Sequence, residues 1–298
     1  MGSRLGPAGR GHAAMLLFSI LVAGSFSLGS MVADEIAPAA LNTVRFAIAG
    51  VVVGVAVLAT GAGRAVHFKA SWRYIILGAL FAAYFVLMFE GLKTAPPVST
   101  SAVFTLTPAL AAIAGYFLLR QITTRWMALA LLIGGMGALT VIFRADVSAL
   151  LAFDVGRGEM VFFVGVIAHA IYTPMVRLLN RGEPALVFSF GTICAGLVLL
   201  LLWGWSDMRA TDWGGLRLQV WLTILYVAIA ASSMTFVLLQ YATMHLPSAK
   251  VMAYTYLTPS WVVIWEVMLG HGAPPVAILG GVALSCVALL MLLRDEPS

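Results

Sequence analysis

The sequence predicts an all-α polytopic membrane protein: ten transmembrane helices arranged as two inverted five-helix repeats around a central cavity. Three observations carry that prediction. Of the 298 residues, 62% are hydrophobic and only 10% are charged, against about 25% charged in a typical soluble domain. The apolar residues fall into ten runs of the length that crosses a hydrocarbon core roughly 30 Å thick. Two proline-containing segments, half a chain apart, match each other.

So few charges cannot clothe a soluble surface of this size. That excludes a soluble enzyme, a nucleic-acid-binding domain and a disordered chain. The net charge of +5 belongs to membrane-flanking loops, because no basic stripe interleaved with aromatics lies outside the apolar runs. Cys194 and Cys286 both sit inside apolar runs, without a CxxC or Cys/His cluster, so no metal site and no cofactor are expected.

The ten spans are expected at 13–32, 38–60, 73–94, 97–119, 125–143, 158–180, 184–205, 219–244, 248–269 and 273–293. The organisation follows: an N-terminal tail (1–12), a first five-helix repeat (13–143), a connector (144–157), a second repeat (158–293) and a C-terminal tail (294–298). Arg4 and Arg10 before the run Ala13–Leu28, with Ala37-Pro38-Ala39 further on, imitate a cleavable leader. An uncleaved first helix is the better reading, because the rest of the chain is also a series of spans.

Basic residues set the orientation. With the N-terminus inside, the inner face holds Arg4, Arg10, Arg64, Lys69, Arg73, Arg120, Arg125, Arg177, Arg181, Lys250 and Arg294. The outer face holds Lys93, Arg144, Arg157, Arg209 and Arg217. This bias places both termini in the cytoplasm of a bacterial inner membrane protein. Spans 2, 5 and 10 carry the glycines Gly50, Gly54, Gly134, Gly135, Gly137, Gly280 and Gly281. Small residues of this kind let helices approach closely in lipid.

The repeat lies at an offset of 151. Pro96 falls on Pro247, Ala102 on Ala253, Leu106 on Leu257 and Thr107-Pro108 on Thr258-Pro259. Each half then has five spans, an odd number, so the second half enters the membrane from the opposite side. Secondary transporters use this arrangement, with a site near the midplane between the halves.

With Asn42-x-x-Arg45-Phe46 on span 2, the two Thr-Pro helices, and Gly-rich spans 5 and 10 closing each half, the chain resembles the drug/metabolite transporter superfamily over essentially its whole length. The likeness is to the ten-span EamA-type branch, and within it to the bacterial amino-acid exporters, especially those of aromatic amino acids. The branch also holds threonine/homoserine, cysteine-metabolite and drug exporters. The resemblance implies a cavity lined by spans 1, 3, 4, 6, 8 and 9, peripheral spans 5 and 10, and no nucleotide cofactor. It implies a small-molecule cargo, the lipid bilayer as surroundings and no obligatory protein partner.

Polar groups at bilayer depth are costly and need a partner or a wet cavity, so they are the site candidates. His169, mid-span 6, reads either as a satisfied core residue or as a group that meets a solute carboxylate or a proton. Tyr172 shares its face, and Pro174 follows. Tyr84 on span 3, Ser101, Phe104 and Thr105 on span 4, and Tyr254 and Tyr256 on span 9 offer rings and hydroxyls for an amphipathic ligand, or ordinary core packing. Ser232 and Ser233 on span 8 offer neutral hydrogen bonds to a zwitterion, unless they bond back to their own helix. Pro108, Pro174 and Pro259 are hinge candidates, since each frees a carbonyl.

Arg45 with Asn42 is expected to be structural, paired with Glu90 or a loop carboxylate, rather than a ligand for a solute carboxylate. Glu90 and Glu266 near outer helix ends read as snorkelling groups or proton couplers. No GxxxxGK[ST], HExxH or GxSxG is present, which speaks against ATP hydrolysis and common hydrolytic chemistry. An intramembrane enzyme would need an acid/base pair, and His169 with Glu90 or Glu266 is its one candidate.

Overall fold

The computed structural model describes residues 6–151 and 154–294. Arg4, with the rest of the first five residues of the N-terminal tail, and residues 295–298 of the C-terminal tail lie outside them.

Among the described residues the chain crosses back and forth ten times. Spans 1 to 3 are Pro7–Ser30, Pro38–Thr60 and Trp72–Gly91. Span 4 is Pro97–Phe104 followed by Thr107–Leu119, and span 5 is Arg125–Ile142. Spans 6 and 7 are Arg157–Leu179 and Ala185–Trp203. Span 8 is Leu218–Ala228, a π-helical segment Ile229–Met234, and Thr235–His245. Span 9 is Ser248–Ala253, a 3-10 turn Tyr254–Leu257, and Thr258–Met268. Span 10 is Val276–Arg294. Nine of these are long and apolar enough to cross a membrane by length and composition; span 9, interrupted at 254–257, is the exception.

The sequence places the spans well and their interruptions incompletely. Span 1 starts six residues early, at Pro7, whose fixed φ and missing N–H suit the first turn. Spans 4 and 9 break one turn before Pro108 and Pro259, so these hinge candidates sit at real discontinuities. Pro108 leaves the Phe104 carbonyl without its helical donor, and the Thr107 hydroxyl donates to it at 2.5 Å. The helix runs unbroken through Pro174, so no discontinuity marks that third hinge candidate. There the Thr173 hydroxyl donates to the His169 carbonyl at 3.2 Å.

Contacts between equivalent helices establish the inversion. Along spans 5 and 10, the Trp126 indole N–H donates to the Met291 carbonyl at 3.1 Å, and Gly137 meets Gly281. As one numbering rises the other falls, so the two helices are antiparallel. Spans 2 and 7 pair the same way: Ala39 lies by Gly204, Phe46 by Gly196 and Gly54 by Phe190. In spans 4 and 9, the Ser248 N–H at the start of one reaches Gln121 just past the end of the other at 3.2 Å. Spans 2, 4 and 5 thus each pack against their own counterpart, running the opposite way, about a pseudo-two-fold axis in the membrane plane. The remaining pairs obey the same axis: span 3 on span 6 mirrors span 8 on span 1, and span 4 on span 6 mirrors span 9 on span 1.

Glycine makes these approaches close. A Cβ at Gly137 would stand 2.7 Å from the Gly281 carbonyl oxygen, and one at Gly281 would stand 2.7 Å from that of Gly137. Spans 5 and 10 otherwise face outward, with Leu132 67% and Leu290 58% exposed. Spans 3 and 7 also approach closely through their backbones, where a Cβ on Gly78 would lie 2.6 Å from the Gly196 nitrogen. Backbone cannot step aside there. Gly78→Ala is expected to cost about 1–3 kcal/mol, read as a lower midpoint of thermal unfolding in detergent. An unchanged midpoint would show that spans 3 and 7 are not in contact.

The face holding the start of span 1 is termed the near face, and the opposite one the far face. At the near face Arg73, opening span 3, meets Glu183 of the span 6–7 loop. Its Nη2 donates to Oε1 at 2.6 Å and its Nη1 to the Leu179 carbonyl at 2.6 Å. The Arg181 N–H donates to the other Glu183 oxygen at 2.6 Å. Both side chains are almost fully buried. Burial alone pushes the Glu183 carboxyl up, but the hydrogen bonds from Arg73 and the Arg181 backbone overcome it and hold it below the usual range. A depressed folded pKa gives stability that is complete above the unfolded value, about 4.3, and lost as pH falls through the folded one. Thermal stability in detergent should therefore lose this contribution only below about pH 4, and in Glu183→Gln that part of the acid-induced fall should vanish.

Candidate functional site

Spans 3, 4, 6 and 8 bring their aromatic residues to one place between the repeats. The i, i+3 and i+4 spacing of Phe81, Tyr84 and Phe85 puts all three on one face of span 3. Opposite them, Phe162, His169 and Tyr172 lie on span 6, Phe104 on span 4 and Phe236 on span 8. The Tyr84 ring stacks on the His169 imidazole, 4.4 Å between centroids at 29°. Phe104 also stacks on Tyr84, at 5.7 Å, and Tyr172 lies parallel to His169 at 6.2 Å. Phe81 touches His169, Tyr172 and Phe236, at 5.4, 4.4 and 4.2 Å. All of these side chains are buried.

The polar atoms in this cluster are mostly unsatisfied. Both ring nitrogens of His169 and the Tyr84 hydroxyl have no hydrogen-bond partner among the described residues. Gln240 donates to the Tyr172 hydroxyl at 2.8 Å, yet its own carbonyl oxygen also lacks a partner there. An unpaired buried donor or acceptor costs about 1–3 kcal/mol. Native cores avoid such groups, so a cluster of them between the two repeats makes this the candidate site. The cavity expected between the halves is occupied by these rings. Two grooves of about 630 and 370 Å³ lie on the outside, along Ala112, Phe117 and Leu132 and along Ala82, Leu199 and Trp203. None of the candidate residues lines either.

Tyr84, Phe104, His169 and Tyr172 are thus brought together, and the other candidates go elsewhere. Ser101 and Thr105 bond back to Val98 and Ala102 on their own helix, at 2.7 and 2.6 Å. Ser233 does the same to Ala228 within the π-helical segment, at 2.8 Å. Tyr254 meets His12 of span 1, 3.1 Å away, near the near face. Tyr256 turns from the centre and packs on Gly134 of span 5.

The expected Arg45–Glu90 pair does not form. Glu90 accepts from Lys93 at 2.7 Å, one turn on. The Arg45 guanidinium instead lies 3.5 Å from the Phe85 ring centroid and donates to the Ser232 hydroxyl at 2.6 Å and the Ala231 carbonyl at 2.9 Å. Both acceptors lie in the π-helical segment, where the Thr235 N–H bonds the Ser232 carbonyl rather than that of Ala231. Asn42 supports span 2 through Pro38 at 2.9 Å. Glu266 is buried and accepts from His271 at 2.8 Å rather than reaching water. With Glu90 and Glu266 thus engaged, neither forms an acid/base pair with His169.

Sequence reasoning passed over Phe81 and Phe85, whose i+4 spacing on the face of Tyr84 was the available signal. It also passed over Glu159, buried and accepting from Ser99 at 2.8 Å, one turn from Phe162. Nothing local marks Arg73 and Glu183 as partners, because 110 positions separate them.

Residues 9–143 and 156–294 each match the EamA-like transporter family, one match on each repeat. The chain belongs to the EamA-like transporter family. No protein among those with curated functions matches it. One solved structure, described only as a crystal structure of a protein, is similar in fold, with a TM-score of 0.74 and 21% identity over 97% of this chain and 98% of that one. As an EamA-like transporter the chain is a multi-pass membrane protein that moves a small molecule. The ring cluster sits where its two repeats meet.

Proposed function

We propose that this EamA-like transporter exports amino acids, aromatic ones preferred, from the cytoplasm across the bacterial inner membrane by alternating access. The Tyr84–His169 stack, with its unpartnered polar atoms, is the observation that carries this reading. Planar rings held 4–6 Å apart are spaced to exchange one another for the ring of a solute. The His169 nitrogens and the Tyr84 hydroxyl supply hydrogen bonds to its carboxylate and ammonium groups. The breaks before Pro108 and Pro259 let half of each helix tilt, opening the cluster first to one face and then to the other.

The test is flux from proteoliposomes loaded in parallel with labelled phenylalanine, tryptophan, threonine and a nucleotide sugar. Flux of the aromatic pair above empty liposomes is the expected result. Flux of threonine alone would move the cargo to another polar metabolite, and no flux of any would reject the amino-acid reading.

A further inference from the structure

A second ion pair mirrors Arg73–Glu183 on the opposite face. At the far face Arg217, just before span 8, donates through Nε to Glu35 Oε2 at 2.8 Å, and its Nη2 contacts the other oxygen. Span 8 is the counterpart of span 3, and the span 1–2 loop that carries Glu35 is the counterpart of the span 6–7 loop that carries Glu183. Each pair therefore joins an arginine at the start of span 3 or 8 to a glutamate in the loop before span 7 or 2. Each also ties one repeat to the other, at opposite ends of the molecule.

We propose that these pairs are alternating latches: Arg73–Glu183 closes the near face and Glu35–Arg217 the far face, and transport releases them in turn. This rests on the transporter reading but not on the identity of the cargo. With both pairs formed, the ring cluster between them is sealed from both sides, which matches the burial of Tyr84, Phe104, His169 and Tyr172.

The latches are unequal. Arg73 and Glu183 side chains are 2% and 4% exposed, whereas Arg217 and Glu35 are 64% and 26% exposed. Arg73 also holds the Leu179 carbonyl, while Arg217 leans on Glu35. Water competes for the far pair and hardly reaches the near one. The far face therefore opens more readily, and the protein rests open to the far side more often than to the near side.

Thiol labelling tests this without any cargo. In a chain carrying Cys194→Ala and Cys286→Ala, Ser99→Cys places one thiol on the far side of the ring cluster. In a second such chain, Ala249→Cys places one on the near side. Both positions are buried with the latches closed. A membrane-impermeant maleimide is added to either side of oriented vesicles. Glu35→Gln and Arg217→Gln are each expected to raise labelling at position 99 roughly two- to fivefold. The reversed pair, Glu35→Arg with Arg217→Glu, is expected to return it to the starting level. Glu183→Gln is expected to raise labelling at position 249 by roughly tenfold or more, as loss of a buried partner should. Arg73→Lys, which keeps the charge, should raise it less. Unchanged labelling at position 99 in both far-face variants, or no recovery with the reversed pair, would overturn the proposal. Recovery with the reversed pair also separates a latch from a merely structural contact.

Discussion

His169→Phe is expected to cut flux of an aromatic amino acid roughly 10- to 100-fold while leaving thermal stability unchanged or raised. The two halves of this outcome have one cause. The imidazole lies among Phe81, Tyr84, Phe104 and Tyr172 with both nitrogens unpartnered among the described residues. Phenylalanine fills nearly the same volume and stacks as well, and it removes two buried polar atoms that cost stability. A substrate would lose up to two hydrogen bonds, each about 1 kcal/mol and more if charged. Tyr84→Phe should follow the same pattern with a smaller loss, since one hydroxyl is removed. Flux in proteoliposomes and thermal unfolding in detergent, measured on the same preparations, decide the matter. A variant that loses flux only in proportion to its loss of folded protein would make His169 a packing residue.

Arg45→Ala is expected to do the reverse and strike stability first, by about 3–5 kcal/mol. The guanidinium fills the space against Phe85 and holds Ser232 and the Ala231 carbonyl of the π-helical turn. Truncation opens a cavity and removes the donor to the Ser232 hydroxyl and the Ala231 carbonyl. Arg45→Lys should recover little, because a point charge cannot stack and hold two acceptors in one plane. A lowered unfolding midpoint in both variants is the expected reading. An unchanged midpoint, with flux alone lost, would instead place Arg45 among the groups that bind the cargo.

The fold was legible because apolar run length and an odd span count in each repeat admit few arrangements. Leu106-Thr107-Pro108 and Leu257-Thr258-Pro259 mark the two broken helices by their repetition, since a proline removes a donor from the turn that precedes it, although the unbroken helix through Pro174 shows that a proline alone does not force a break. The π-helical turn at Ile229–Met234 was hidden, because no residue type demands one, and the arginine that donates to its Ala231 carbonyl comes from the other repeat. The site was half legible. A histidine and tyrosines at bilayer depth announce themselves by their cost, so Tyr84, His169 and Tyr172 could be named. Which way a side chain turns depends on helix rotation, and so Tyr256, close before Trp261 in the same aromatic-rich segment, faces span 5 instead. Long-range pairs such as Arg73–Glu183 leave no trace in local spacing.

The antiparallel pairing of spans 2 with 7, 4 with 9 and 5 with 10 has a consequence for heredity as well as motion. Exchanging the conformations of the two halves produces the same shape turned upside down, so the blueprint for the opposite-facing state is already written in this one. A substitution that biases the molecule toward one side should have a reciprocal substitution in the other half that biases it back. Pairs of compensating changes are thus expected to arise at mirrored positions, and the seam between spans 5 and 10, a pair that the axis maps onto itself, is where such trading is least free.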